Sequence, residues 1–136
     1  MISYLSGTVI ERRHGFIILD VQGVGYKVFV SERTLSNIPK NERQLKLFCH
    51  LHVRENSMDL YGLLEMDELE LFEMITNVSG IGPKAALLIS SVGSFEDFKR
   101  AIMAQDERFF AGVHGIGRKK IQKIILELTG KIENLE

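Results

Sequence analysis

Residues 78 to 84 read Val78-Ser79-Gly80-Ile81-Gly82-Pro83-Lys84, and residues 113 to 119 read Val113-His114-Gly115-Ile116-Gly117-Arg118-Lys119. The two stretches match at Val, Gly, Ile, Gly and Lys at a constant offset of 35 residues (115 − 80), which marks an internal duplication. Leu69, Phe72, Ile75 and Val78 lead into the first copy at three-residue steps, the spacing of a helix with one apolar face. The pattern predicts helices over 67–77, 83–92, 94–105, 107–112 and 118–129, broken at glycines and at Pro83. Ser94 with Asp97 three residues on has the form of a capping box. Each Gly-Ile-Gly is therefore expected to be a tight hairpin between two helices. Gly80, Gly82, Gly115 and Gly117 permit positive φ and bring backbone N–H groups close to whatever lies outside, and the Ile plugs the gap between the helices.

A helix that starts at such a hairpin presents unpaired N–H donors and the positive end of its dipole, which together attract an anion. Lys84 in the first copy, and Arg118, Lys119 and Lys120 in the second, fall in the first helical turn. A cation there opposes the dipole at a cost of about 0.3–1 kcal/mol, so stability alone does not favour it. A bound polyanion offsets that cost, because side chain and dipole then attract the same phosphate. Contacts of this kind position a nucleic acid without reading its sequence.

Working toward the N-terminus, the helical period gives way to alternation. Leu45, Leu47, Cys49, Leu51 and Val53 are set against Lys46, Phe48, His50 and His52. Turn signals at His14-Gly15, Gln22-Gly23 and Pro39-Lys40-Asn41 separate strands expected near 2–13, 16–22, 24–30, 45–54 and 58–63, with a short helix over Glu32 to Asn37. Five short strands in so small a unit suggest a barrel of OB type. Gly23 and Gly25 read as a bulge or a tight barrel corner. The fold class is α+β, with a five-stranded OB-like barrel over 1–63 and an all-helical tandem helix-hairpin-helix unit over 64–136, the boundary lying near Leu63 to Met66.

The formal net charge is −1, which conceals its layout. Residues 63 to 76 carry five acids (Glu65, Asp67, Glu68, Glu70, Glu73) and no Lys or Arg, while each flank is +2. Such flanks are weak evidence of nucleic-acid binding, so the argument rests on where particular cations sit. Apolar runs such as Ala85 to Ile89 fall far short of the roughly 20 residues of a membrane helix. Met1 to Gly7 has no basic or apolar signal region, so the expected location is cytoplasmic. Cys49 is the single cysteine, which rules out an internal disulfide and a cysteine-based zinc cluster and reads as a small core residue.

Taken together, the barrel, Val53-Arg54-Glu55, Leu60-Tyr61-Gly62 and both hairpins resemble the RuvA family of bacterial Holliday junction branch-migration proteins over the whole chain. The resemblance implies a homotetramer that lays a four-way DNA junction flat, each arm held by paired hairpins. It implies roles in recombination, repair and the SOS response, RuvB as the motor ATPase partner, and RuvC resolvase as a further partner. Arg54 resembles a family position near the junction centre, and Glu55 belongs to the acidic pin whose repulsion of phosphates disfavours ordinary duplex. The family usually has two adjacent acids there; this chain has Glu55-Asn56, with Asp59 the nearest candidate to replace the missing charge. The family also continues into a third small helical domain that touches RuvB. The sequence ends at Glu136, so a chain without that domain and with impaired RuvB contact is expected.

Other motifs fail on context. Gly112 to Lys119 comes close to a P-loop, but Arg118 stands where Lys is needed, Lys119 where Ser or Thr is needed, and no strand precedes it. Gly80 to Ala85 imitates a dinucleotide fingerprint, yet it joins helix to helix. His50 and His52 share a strand face without a third metal ligand nearby, and His14 and His114 read as turn residues. Phe48, on the same face, suits either stacking or a subunit contact. A helix-hairpin-helix glycosylase would need a pocket and a poised acid beyond the second hairpin, where only Glu127, Glu133 and Glu136 follow. No catalytic residue, metal or cofactor is assigned. The alternative reading is a general duplex-binding module of another repair protein, separable by a preference for four-way over linear DNA.

Overall fold

The structure, a computed structural model, describes residues 1–40, 44–113 and 115–132. Asn41 of the third turn signal, His114, Glu133 and Glu136 lie outside the described residues. The chain divides into two compact units, Met1–Leu69 and Glu70–Glu136. This division falls later than Leu63 to Met66, inside the first long helix.

The first unit holds strands β1 (Tyr4–Arg13), β2 (Phe16–Val21), β3 (Val24–Phe29), β4 (Leu45–Arg54) and β5 (Ser57–Leu63), with α1 (Glu32–Asn37) between β3 and β4. They close in the order β1-β2-β3-β5-β4, with β3 and β5 parallel and the other neighbours antiparallel. Closure gives every strand a partner on both sides over at least part of its length. Ile17, Leu19, Val28, Leu45, Leu47 and Cys49 fill the interior. Burial pushes the Cys49 thiol up to about 11, so the side chain behaves as a small apolar residue. A Cβ on Gly62 would lie 2.6 Å from the Val28 methyl, so glycine in Leu60-Tyr61-Gly62 is dictated by the crowded core.

Two local expectations change. Gly25 pairs in register with Asp20, and the irregularity lies in β1 between Val9 and Glu11. Gly23 is the turn residue, at φ +92°. The alternation on β4 also runs out before its end: Leu45, Leu47 and Cys49 are buried, Leu51 is half-buried, and Val53 is 59% exposed. Val53 faces Met58 where β4 has only β5 beside it, because pairing with β1 stops at Phe48.

Helices α2 (Met66–Thr76), α3 (Pro83–Ser90), α4 (Phe95–Met103) and α5 (Arg118–Ile132) follow, with a 3-10 turn at Glu107–Phe110 before α5. Leu69, Phe72, Ile75 and Val78 are all buried, as their spacing predicts. Phe98 and Phe110 meet edge to face with ring centroids 5.2 Å apart. Truncating either fully buried ring to Ala is expected to cost about 3–5 kcal/mol. Ser94 caps α4 by accepting the Asp97 amide at 3.1 Å. The segment at 107–112 is a short 3-10 turn, and α5 passes through Gly130 to Ile132 because Leu128 and Ile132 are both fully buried.

Candidate nucleic-acid interface

The duplicated sequence folds as a duplicated turn. The Val78 amide donates to the Ile75 carbonyl at 3.0 Å, and 35 residues on the Val113 amide donates to the Phe110 carbonyl at 3.1 Å. Gly80 has φ +87° and Gly115 φ +82°, a backbone region that side chains with a Cβ enter only under strain. Gly82 differs: its φ is −89°, in the ordinary extended region, where it caps α3 without a side-chain hydrogen bond. Gly117, likewise, is not among the positive-φ glycines, and a Cβ added there meets nothing within 4 Å. Of the two roles expected of the glycines, positive φ is confined to the first of each pair. The first glycine of each pair shapes the turn, and at Gly117 a bare backbone leaves the approach to the following helix open.

The Ile plug is realised unequally, since Ile81 is buried and Ile116 only half-buried. Gly82 O accepts the Ala86 amide at 2.9 Å, and Gly117 O accepts the amides of Lys120 and Ile121 at 3.1 and 3.2 Å, so both helices begin directly after the second glycine. Their first turns set them apart. Within the described residues α1, α2, α4 and the 3-10 turn each start with an acid, whereas α3 and α5 have none there. Lys84, Lys119 and Lys120 stand exposed at these two starts. Exposed cations at the positive ends of two helix dipoles are an arrangement suited to a phosphate.

Arg118 is differently engaged. Its Nε donates to Glu107 Oε1 at 2.9 Å, and Gln122 Nε2 reaches both oxygens of the same carboxylate at 3.3 and 3.4 Å. These hydrogen bonds, Arg118 first, hold the Glu107 carboxyl below its ordinary range. Sequence reading also missed Lys123. Its Nζ donates to the Ser79 carbonyl at 3.3 Å, so a cation from α5 reaches the first hairpin. The available signal was its position one helical turn beyond Lys119, on the same face.

In the barrel unit, Glu55-Asn56 forms the two-residue turn that joins Arg54 to Ser57, and Arg54 and Glu55 are both exposed. Asp59 stands opposite His52, down the strand from the tip. Arg54 Nε donates to His52 Nε2 at 2.9 Å. Phe48 is half-buried, its ring 6.4 Å from that of Tyr4, with Lys46 Nζ 5.6 Å from its centroid. Among the described residues no three His, Cys, Asp or Glu side chains gather as a metal site, and no helix is long and apolar enough to cross a membrane.

Residues 1–62 match the family model of the RuvA N-terminal domain, and residues 72–129 match that of the SAM-like helix-hairpin-helix tandem. Among curated relatives, the Holliday junction branch migration complex subunit RuvA of Prosthecochloris aestuarii is 40% identical over all of this chain, which covers 68% of the relative. The protein of the same name from Syntrophomonas wolfei is 41% identical at the same coverage. That of Caldanaerobacter subterraneus is 39% identical over 97% of this chain and 71% of its own length. The chain thus spans about two-thirds of the relatives it resembles.

Proposed function

The chain belongs to the RuvA family, and from that premise we propose that it binds four-way DNA junctions through their phosphate backbones, without reading sequence, and holds them open for branch migration. The observation that carries this reading is the pair of hairpins with matching glycine backbone and a lysine at the same place in each following helix. Lys84, Lys119 and Lys120 act as phosphate contacts, with Lys123 beside the first hairpin. Gly80, Gly82, Gly115 and Gly117 shape and clear the approach, and Arg118 contributes once released from Glu107. Arg54 and the single pin acid Glu55 act at the junction centre, where repulsion by Glu55 disfavours misplaced strands.

The mechanism is binding and shaping, with no covalent step of the chain's own. Force comes from a partner motor ATPase, RuvB, acting on a junction held by a homotetramer of this chain in the cytoplasm, with RuvC resolvase as a further partner. A titration at controlled salt, comparing a synthetic four-way junction with linear duplex of the same arm sequence, tests the reading. Clear preference for the junction is expected; equal affinity would reduce the protein to a general duplex-binding module.

A further inference from the structure

The outer end of the β4–β5 hairpin has two unlike faces. Val53 and Met58 lie on one; His50, His52, Arg54, Ser57, Asp59 and Tyr61 alternate onto the other. His52 there is surrounded by a short set of charged or titratable neighbours. His50 and Arg54 flank it on β4, with the His50 ring 6.1 Å away, and on β5 Asp59 faces it directly while Tyr61 faces His50.

The Arg54 Nε to His52 Nε2 hydrogen bond has one chemical meaning. Arginine is a permanent donor, so Nε2 must offer its lone pair and the imidazole must be neutral, with its proton on Nδ1. Engaging Nε–H fixes the guanidinium plane and leaves its two terminal amino groups as the parallel fork that grips a phosphate. We infer that His52 is a positioning residue for Arg54, aiming that fork toward the junction, and that junction selectivity falls when His52 takes up a proton. The inference rests on the reading of Arg54 as a DNA contact.

Partial burial, then Arg54 and His50, hold His52 below the ordinary imidazole range, with Asp59 opposing them. The neutral, accepting form therefore prevails at neutral pH. On acidification the ring becomes a second cation, loses the acceptor and repels Arg54. Because the added charge also attracts any DNA, total affinity is a poor readout. The ratio of junction to duplex affinity isolates the loss of aim.

The test measures that ratio on the full chain at fixed ionic strength, near pH 7.5 and at about one pH unit below the His52 midpoint, which an NMR titration of the ring supplies. In the unsubstituted protein the ratio is expected to fall about three- to tenfold on acidification, the scale of losing one ordinary hydrogen bond at a solvent-accessible site. His52→Gln, whose amide oxygen accepts without titrating, should keep a high, pH-independent ratio; His52→Val should give a low one at both pH values. His52→Val with unchanged ratio and pH profile would overturn the inference. Arg54→Ala should raise the His52 pKa; no shift would mean the hydrogen bond does not govern the ring. A shift accompanied by unaltered junction binding in Arg54→Ala would locate the failure in the assignment of Arg54 to DNA, and the inference would fall with that premise.

Discussion

In the first hairpin the position after the second glycine is Pro83, a buried residue whose ring sets φ for the start of α3; in the second it is Arg118, exposed and held by Glu107. The first hairpin is entered from an eleven-residue helix and plugged by buried Ile81, whereas the second follows a four-residue 3-10 turn and its Ile116 is only half-buried. Yet the turning glycines differ by only 5° in φ, 87° against 82°. One backbone is thus maintained by apolar packing in one place and by an exposed hydrogen-bonded ion pair in the other. What the copies share among the described residues is exposed: the positive-φ glycine, the second glycine and the lysine.

The largest expected effects separate the two glycines of a pair. Gly80→Val and Gly115→Val force a β-branched residue into positive φ and should each destabilise the helical unit by about 1–3 kcal/mol in urea unfolding, with loss of DNA binding. Because the second hairpin has less apolar support, Gly115→Val should open its turn amides to hydrogen exchange more widely than Gly80→Val opens the first. Equal opening would break the contrast. Gly117→Val should behave otherwise, with stability within about 0.5 kcal/mol of the parent but binding strongly reduced, because the new side chain stands at the helix start. Normal junction affinity in that variant would remove the second hairpin from the interface.

Intermediate effects are expected from the lysines. Lys84→Ala and Lys119→Ala should weaken binding to all sequences alike, each lowering the slope of log affinity against log salt by about 0.9. Similar losses at both sites would mean that the grip is shared even though the supports differ. An unchanged slope at either site would withdraw that lysine from phosphate contact.

Much of this was legible because period and glycine placement are local properties. The shift from alternation at Leu45, Leu47 and Cys49 to three-residue steps at Leu69, Phe72 and Ile75 separates barrel from helices, and the fixed offset reveals the duplicated turn. Exposure of Val53 was not legible, since alternation predicts a face but not whether a neighbouring strand extends far enough to cover it. Nor were the side-chain links. Arg118 and Glu107 are 11 residues apart and Lys123 and Ser79 are 44 apart, so neither pair lies at a spacing that a helix or strand enforces. Spacing likewise identifies Gly82 and Gly117 as special without telling that they keep ordinary φ; only backbone geometry separates turning glycines from clearing ones.

The smallest expected effect is the sharpest test of how the second hairpin is held. Glu107 is half-buried at the surface and its carboxyl is held below the ordinary range, so its contribution is present above the unfolded-state carboxylate value and fades as pH falls through the lower folded value. Glu107→Gln keeps the shape and removes the charge. Hydrogen exchange near Gly115 to Gly117 should then quicken slightly at neutral pH, and the difference from the parent should shrink in acid and in high salt, while the first hairpin is unaffected. Binding should move the opposite way. With Arg118 no longer neutralised by an internal anion, junction affinity should rise modestly and its salt dependence steepen. If affinity fell instead, the carboxylate would be needed to aim Arg118, and the second hairpin would work as a braced cation where the first works as a packed turn.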